Sequence, residues 1–287
     1  MNIRQRKIRI HVVALLVIGT LLGVAFFSLI IVFMASDIIA NDAKKPNENV
    51  VCDFCEETMK LIKEEEEAEK VAGKARKRAE ARGIIYLTFD DGPSEYTNAL
   101  LDTLDKYEVK ATFFVTGYGD DAVIKREFDE GHTVALHSLS HQYAHIYANV
   151  DNYFADLGGV SDRVKNITGT ESKIMRFPGG SSNLVSGRYD GKTRIMSTLT
   201  REVEARGYHY FDWNVDSDDA GRASSPDIVY SNVVSRLKDG DNVVLQHDVK
   251  PYSVEAVGAI IEYGLANNFF FDAITMDTPV VHHSVNN

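Results

Sequence analysis

From Ile84 onward, short apolar runs alternate with longer segments in which apolar residues recur at helical spacing. Seven of these runs are rich in β-branched and aromatic residues, which is typical of strands. Strands that alternate with helices in this way predict parallel βαβ units, arranged either as a barrel or as a doubly wound sheet. The predicted strands are 84–89, 111–117, 133–137, 173–177, 208–213, 242–247 and 269–274.

The first 40 residues show a different pattern. No charged residue occurs between Val12 and Ala35, and a helix of this length can cross a bilayer core of about 30 Å. Basic residues precede the run and acidic residues follow it, so the positive-inside rule keeps the N-terminus in the cytoplasm. A cleaved signal peptide is the alternative, but its apolar core is shorter, about 7–15 residues. We therefore expect a single-pass anchor in the cell membrane through residues 12–35, with the rest of the chain outside.

A polar segment, residues 41–83, separates this run from the first predicted strand. Its part at 56–82 is rich in Glu, Lys, Arg and Ala, with acids before bases, which suits a helix and its dipole. Apolar positions are too sparse for a sustained heptad seam, so we expect a solvated helical stalk rather than a coiled coil. Cys52 and Cys55 lie here as a single C-x-x-C, which lacks the second pair of ligands for a zinc site. Outside the cell, this pair indicates a local disulfide or a disulfide-linked dimer.

Charge narrows the possible partners. The chain has 31 Lys and Arg residues, 42 Asp and Glu residues and a net charge of -11, while residues 1–83 are close to neutral. The region 84–287 is therefore strongly acidic, and we expect no nucleic-acid partner because phosphate contacts need a basic surface. No glycine-rich phosphate-binding loop follows any predicted strand, which argues against a nucleotide-binding fold.

Residues able to carry out chemistry cluster at the carboxyl ends of the predicted strands. Asp90 and Asp91 follow the first strand directly. Asp and Gly-Pro are also ordinary turn formers, but a chance scatter of polar residues would not favour one end of every strand. In a (β/α) barrel this rim is where active sites are built. The other strand-end residues are His137, Arg176, Asp212 with Trp213, and His247 with Asp248.

Several of these residues suggest a metal-assisted hydrolytic site. His137 and His141 are four residues apart, and on a helical turn both imidazoles could share a metal. Two His residues and one carboxylate are a common catalytic metal set, and Asp91 could supply the carboxylate. Arg176 could orient a carboxylate through two hydrogen bonds. His247, at the end of a buried strand, is a candidate general acid.

Five segments, in this order, resemble the motifs of the polysaccharide deacetylases, the NodB-homology domain of carbohydrate esterase family 4. The similarity extends over about residues 84–275 and implies a distorted (β/α) barrel of about seven parallel strands. The segments are TFDDGPS at 88–94, HSLSH at 137–141, RFPGG at 176–180, DW at 212–213 and LQH at 245–247.

The resemblance also implies catalytic roles. Asp90 would be the general base, oriented by Arg176, and His247 would be the general acid, held by Asp212. In the longer D-x-x-D-W form of the fourth motif, the first acid falls on His209, so only the D-W half carries over.

A metal site and a substrate pocket follow from the same resemblance. The metal, commonly zinc in this family with cobalt, nickel or manganese as alternatives, would be bound by Asp91, His137 and His141. Trp213 and Leu245 would line the pocket for the acetyl methyl group. The backbone N–H of Gly179 would stabilise the oxyanion, although the family often has an aromatic residue at this position, so the sugar platform is expected to differ here.

Together these expectations describe a membrane-anchored, metal-dependent N-deacetylase of an N-acetylglucosamine polymer, with peptidoglycan favoured because a short stalk reaches the wall nearest the membrane. Chitin oligomers, poly-N-acetylglucosamine and O-acetylated xylan are alternative substrates. A catalytically silent glycan-binding protein is the non-enzymatic alternative. Residues 1–40 would form the tail and anchor, residues 41–83 the stalk and residues 84–287 the catalytic domain. Within the catalytic domain, the loop at 179–194 is the best candidate for substrate contacts.

Overall fold

The computed structural model describes residues 48–191 and 193–287. The predicted cytoplasmic tail and the predicted anchor at residues 12–35 lie outside the described residues. Across the described ranges, none of the helices has both the length and the apolar sequence that crossing a bilayer requires.

A long helix, α1, opens the described part of the chain at Glu48–Glu80. From residue 58 onward its side chains are mostly exposed. Cys52 and Cys55 lie in the part of α1 whose side chains fall outside the description, so the disulfide stays a prediction. The chain divides into two units between Gly73 and Lys74. Within the second unit, Arg78 in the last turn of α1 forms an ion pair with Asp272.

Eight strands of the described chain form one sheet, and all of their pairings are parallel. Each of the seven predicted strands overlaps an observed strand, so the parallel α/β architecture is confirmed. The strand that was not predicted is β6, which has only two residues. The strands are β1 Gly83–Asp90, β2 Thr112–Thr116, β3 Thr133–Ser138, β4 Ile174–Met175, β5 His209–Tyr210, β6 Val215–Asp216, β7 Gly240–His247 and β8 Phe269–Phe271.

Helices connect most of these strands and cover the outside of the sheet. Side chains that accept backbone N–H groups cap several of them; Ser225, for example, accepts from Ile228 at the start of α7, and Asn149 accepts from Asn152 at the start of α5. The helices are α2 Thr97–Lys106, α3 Asp121–Asp129, α4 Tyr143–Ile146, α5 Val150–Thr168, α6 Ile195–Ala205, α7 Pro226–Val234 and α8 Pro251–Ala266, with a short 3-10 helix at Ser186–Arg188.

The sheet forms a distorted barrel. Its strand order is β5-β4-β3-β2-β1-β7-β6, and β8 pairs with the first three residues of β1. The two edge strands, β5 and β6, are consecutive in sequence. The four residues between them carry the chain across the gap: Phe211 N–H donates to the Met175 carbonyl at one edge, and Asn214 N–H donates to the Val243 carbonyl at the other. One stretch of chain thus runs from beside β4 to beside β7 and connects the two edges of the sheet.

Side chains alternate between two cores along each strand. On β1, Ile85, Leu87 and Phe89 face the helices and belong to the large outer core. Tyr86 belongs to a smaller inner core, which also contains Phe114, Ala135, Ile174, Phe211, Val243 and Ile274. The same alternation places Asp90 on the inner side, at the carboxyl end of β1. Asp90 therefore lies at the mouth of the barrel, directly opposite His247 in the β1–β7 ladder.

Candidate active site

A fully buried arginine, Arg176, organises the floor of the site. Its Nη1 donates to Asp90 Oδ1 at 2.8 Å and to Thr88 Oγ1 at 2.7 Å. Its remaining N–H groups donate to the main-chain carbonyls of Phe211, at 2.8 Å, and Asp212, at 3.1 Å. Five planar donors in a fixed fork allow one arginine to satisfy four acceptors. Arg176 contacts Asp90 through one hydrogen bond rather than the two predicted, because its other N–H groups are used by Thr88 and two carbonyls, and this bond fixes one oxygen of the buried carboxylate.

Asp91 lies beside Asp90 but faces a different set of groups. Its backbone adopts a left-handed conformation, with φ of +75°, which turns the two neighbouring carboxylates apart. Asp91 Oδ1 lies 3.4 Å from His137 Nε2 and 3.2 Å from His141 Nε2. This oxygen is buried and has no hydrogen-bond partner among the described residues. A buried carboxylate oxygen without a partner is costly unless a ligand satisfies it.

The imidazole of His137 is held with its Nε2 towards Asp91. On the other side of the ring, Nδ1 lies 3.0 Å from the Arg176 carbonyl. A carbonyl can only accept, so Nδ1 carries the proton and Nε2 of the neutral ring presents a lone pair. This outer hydrogen bond is the usual way in which proteins orient a metal-binding histidine.

His141 also directs its imidazole towards Asp91, but no helical turn joins it to His137. The expectation that a helical turn aligns the two histidines was therefore wrong. His137 is part of β3, and His141 lies in the loop that follows, with φ of +49°. The buried Asp156 on α5 shapes this loop. Its carboxylate accepts from Ser138 Oγ at 2.5 Å, from Leu139 N at 2.8 Å and from Ser140 N at 2.9 Å. The folded loop brings the two imidazole centroids to 5.2 Å.

The electrostatics of this cluster favour a bound cation. Burial raises the pKa of Asp91, but the adjacent imidazoles of His137 and His141 outweigh burial and hold the pKa below its usual range. Burial lowers the pKa of His137, but the charges of Asp90 and Asp91 outweigh it and leave the pKa raised. Burial and the neighbouring His137 lower the pKa of His141. Asp91 is therefore ionised near neutral pH.

The three side chains fit a divalent metal. The ligand atoms of Asp91, His137 and His141 all lie within 4.8 Å of one another. Around a tetrahedral ion with bonds of about 2.1 Å, ligand atoms lie roughly 3.4 Å apart, which is close to the two distances measured from Asp91 Oδ1. One carboxylate and two imidazoles leave positions open for water or substrate, as in catalytic rather than structural sites.

His247 is paired with Asp219, and the predicted pairing with Asp212 was wrong. His247 Nδ1 lies 2.7 Å from Asp219 Oδ1, and the His247 backbone N–H donates to Asp219 Oδ2 at 2.7 Å. Burial lowers the pKa of His247, but the hydrogen bond and charge of Asp219 outweigh burial and raise the pKa to about 9. Burial raises the pKa of Asp219, but the contact with His247 outweighs it and leaves the pKa lowered. His247 is therefore protonated at neutral pH.

Asp212 instead fastens two loops. Its carboxylate accepts from Ser181 N at 2.8 Å, from Ser181 Oγ at 2.5 Å and from His283 N at 2.7 Å. His283 in turn makes a contact of 2.7 Å between its Nε2 and the Trp213 carbonyl. This buried carboxylate thus ties the Pro-Gly-Gly-Ser loop to the segment near His283.

The predicted substrate-contacting residues surround the same mouth. Leu245 lies two residues before His247 on β7, so both side chains point to the inner side of the barrel. Gly179 and Gly180 both have φ of +77°. A Cβ on Gly180 would come within 2.9 Å of the Trp213 ring, and a Cβ on Gly179 would come within 2.7 Å of Tyr143 Oη. The glycines are therefore required both by backbone conformation and by close neighbours.

Three residues of this arrangement were missed from the sequence. Asp219 lies in the acidic run DSDDA, which begins at the last residue of β6, and recognising β6 as a strand would have marked it as a strand-end acid. Asp156 lies within α5, where an acid on a helix gives no signal of burial. Tyr143 follows His141 by two residues, and its ring lies beside the His141 imidazole.

A parallel barrel with an open Asp-His-His set, a second carboxylate and a protonated histidine at its carboxyl rim is suited to metal-assisted hydrolysis. Comparison with known proteins identifies the family: the family model described as polysaccharide deacetylase matches residues 77–194. A peptidoglycan-N-acetylglucosamine deacetylase of Bacillus cereus is 34% identical over 207 residues, which cover 69% of this chain and 72% of that protein. This chain belongs to the polysaccharide deacetylase family, and the resemblance noted in its motifs is confirmed.

Structures and further relatives agree with this assignment. The catalytic domain of peptidoglycan N-acetylglucosamine deacetylase from Eubacterium rectale is 49% identical, with a TM-score of 0.69, and the match covers 71% of this chain and 94% of that one. A bifunctional xylanase/deacetylase of Pseudobutyrivibrio xylanivorans is 32% identical over 193 residues, which cover 64% of this chain and 28% of that protein. The prediction of an enzyme that hydrolyses acetyl groups on polysaccharides is likewise confirmed.

Proposed function

We propose that this protein removes N-acetyl groups from the N-acetylglucosamine residues of peptidoglycan and releases acetate. The observation that carries the proposal is the open Asp91-His137-His141 set, with Asp90 and His247 facing each other across the β1–β7 ladder beside it. The relatives named as peptidoglycan deacetylases support this polymer as the substrate.

Asp91, His137 and His141 would hold a divalent metal, and we propose zinc because two nitrogen ligands and one oxygen ligand suit it. When bound, such a metal supplies Lewis acidity, which polarises an amide carbonyl and makes water a better nucleophile near neutral pH. The hydrogen bond from His137 Nδ1 to the Arg176 carbonyl and the three hydrogen bonds to Asp156 keep the ligands in place.

Asp90 is suited to act as the general base. Its Oδ1 is occupied by Arg176, while its Oδ2 lies 3.9 Å from His137 Nε2, beside the metal ligands. This second oxygen can accept the proton that the attacking water gives up as it adds to the amide carbonyl. Two neighbouring acids at the end of β1 therefore have separate tasks, since Asp91 holds the metal and Asp90 takes the proton.

His247, the neighbour of Asp90 in the β1–β7 ladder, is suited to act as the general acid. Asp219 keeps its imidazole protonated, and Nε2 is the nitrogen left to give its proton to the leaving amine. The N–H of Gly179 would donate to the developing oxyanion, a contact that is strongest where water is excluded. Trp213 and Leu245 would enclose the acetyl methyl group on the inner side of the barrel.

We propose that the protein acts at the outer face of the cell membrane. The long uncharged run at residues 12–35 and the basic residues before it support an anchor with a cytoplasmic N-terminus. A helical segment then leads to the barrel. On this proposal the substrate is the wall polymer nearest to the membrane.

An esterase that removes O-acetyl groups from xylan is the second candidate. The specific observation in its favour is the similarity to the bifunctional xylanase/deacetylase. The same base, acid and metal ligands would serve either reaction, because an ester carbonyl is attacked in the same way as an amide carbonyl.

Acetate release by the purified, zinc-loaded full chain distinguishes these substrates. De-O-acetylated peptidoglycan, chitin oligomers and O-acetylated xylan are supplied at equal acetyl content, with Asp90→Asn as the inactive control. We expect the fastest release from peptidoglycan and none from the control. Faster release from xylan would transfer the assignment to the esterase, and faster release from chitin oligomers would change the polymer.

A further inference from the structure

Tyr143 lies at the mouth of the site, where none of the motifs assigned it a role. It begins α4, two residues after His141. Its ring contacts the edge of the His141 ring, with the two ring centroids 5.5 Å apart. It also packs against the ring of Tyr147, and these centroids are likewise 5.5 Å apart. These contacts fix the direction of the ring next to a metal-binding imidazole.

The hydroxyl of Tyr143 lies against a bare stretch of backbone. A Cβ built on Gly179 would be 2.7 Å from Tyr143 Oη and 3.5 Å from Tyr143 Cε1. The space that a side chain at position 179 would occupy is therefore filled by the tip of Tyr143. The aromatic ring on this side of the site thus comes from α4, the short helix after the two histidines, and not from the Pro-Gly-Gly loop.

Two neighbouring tyrosines differ in how their hydroxyls are used. The hydroxyl of the buried Tyr147 donates to the Pro178 carbonyl at 2.7 Å, as expected for a structural tyrosine. Tyr143 is half-buried, and no hydrogen bond joins its hydroxyl to any of the described residues. A tyrosine held rigidly by its ring, with a free hydroxyl at the mouth of a pocket, is suited to bind a polar ligand.

We propose that Tyr143 is a substrate-binding residue for the N-acetylglucosamine unit that loses its acetyl group. Its hydroxyl hydrogen-bonds to a ring hydroxyl of this sugar, and its aromatic ring forms one wall of the pocket around it. This inference rests on the proposed deacetylase function and adds a specificity-determining residue to it. Gly179 and Tyr143 form a complementary pair, because a side chain at 179 would displace the hydroxyl.

The test is steady-state kinetics of the zinc-loaded full chain on de-O-acetylated peptidoglycan, comparing wild type with Tyr143→Phe. Loss of one hydrogen bond to the sugar predicts a KM about 3- to 10-fold higher, with kcat within about twofold. The matched control is Tyr230→Phe, which removes the same atom from α7, away from the site, and leaves KM unchanged. Zinc content and thermal stability should match wild type in both variants, since no protein hydrogen bond is lost.

A double-mutant cycle tests the contact with Gly179. Gly179→Ala should reduce kcat/KM strongly in wild type, because the new Cβ meets Tyr143 Oη, and should reduce it less in the Tyr143→Phe background, where that atom is gone. The left-handed backbone of Gly179 is common to both backgrounds, so its strain cancels.

Unchanged KM in Tyr143→Phe, or a loss confined to kcat, would overturn the assignment of Tyr143 to sugar binding. Equal losses for Gly179→Ala in the two backgrounds would overturn the proposed complementarity. Neither result would affect the proposed function, which fails separately if zinc-loaded wild type releases no acetate from any of the three polysaccharides.

Discussion

Replacing Asp219 with Asn should shift the pH dependence of the enzyme, whereas the same change at Asp212 should not. Asp219 contacts His247 through both of its oxygens, and it is the main reason why the pKa of His247 is raised to about 9. Asp212 contacts Ser181 and His283 instead. Asn keeps the shape of the side chain in both variants, so the comparison isolates the charge beside the general acid.

The magnitude follows from the pKa of His247. The raised value exceeds the ordinary histidine pKa of about 6.5 by about 2.5 units, which corresponds to about 3 kcal/mol. If the substitution returns the pKa to about 6.5, the protonated fraction at pH 6 falls only about 1.3-fold, but at pH 8 it falls about 30-fold. The activity lost on substitution should therefore widen by roughly twentyfold between pH 6 and pH 8.

The assay is the pH profile of kcat/KM for acetate release, which reports the free enzyme. We expect the alkaline limb of wild type near pH 9, the limb of Asp219→Asn lower by about 2.5 units, and the limb of Asp212→Asn in the wild-type position. A limb that moves with Asp212→Asn and stays in place with Asp219→Asn would refute the reasoning.

Protein stability offers an independent check on the same pair. The folded-state pKa of His247 is raised, so its contribution is fully present below the unfolded pKa of about 6.5 and is lost as the pH rises through about 9. The folded-state pKa of Asp219 is lowered, so its contribution is present above about 3.9 and is lost at lower pH. Urea unfolding of metal-free protein should show Asp219→Asn most destabilised between about pH 4 and 6.5, with a smaller difference above pH 9. A difference that grows at alkaline pH would contradict this sign.

Three further changes test the metal site and its support. Removing metal with a chelator should abolish acetate release, and zinc should restore it in wild type but not in Asp91→Asn; full activity of metal-free wild type would be the contrary result. Asp156→Ala leaves the N–H groups of Leu139 and Ser140 without their acceptor, so zinc affinity measured against a competing chelator should fall about 10- to 100-fold. Unchanged zinc affinity would show that the loop keeps its conformation without Asp156. Arg176→Lys cannot satisfy four buried acceptors, and urea unfolding should show a loss of about 3–5 kcal/mol; a loss below about 1 kcal/mol would count against this account of the site floor.

Local patterns in the sequence were sufficient to predict most strands of the barrel. The β-branched runs and the helical segments between them predicted seven strands, and the strand-end positions of Asp90, Arg176 and His247 brought them to one rim. These predictions depend on alternation within a strand and on the shared direction of parallel strands, which a single sequence contains.

Contacts between residues that are far apart in the sequence could not be predicted from such local signals. Asp212 and Asp219 are both acids near strands, and the choice between them depends on β6, whose two residues are too few to show a period. The histidine pair met as predicted but for a different reason, because Asp156, a residue of α5, folds the loop between them. Tyr143 and Gly179 are far apart in the sequence, and only the folded chain shows that the hydroxyl of Tyr143 lies against Gly179.

The most direct test of the central claim is the stoichiometry of the reaction on de-O-acetylated peptidoglycan. The zinc-loaded full chain and its Asp90→Asn variant are incubated with the polymer, and released acetate and new primary amines are both counted. Equimolar acetate and amine from wild type, with neither from the variant, is the predicted result. Acetate without new amines, or no acetate from a folded and zinc-loaded protein, would contradict the assignment as an N-deacetylase.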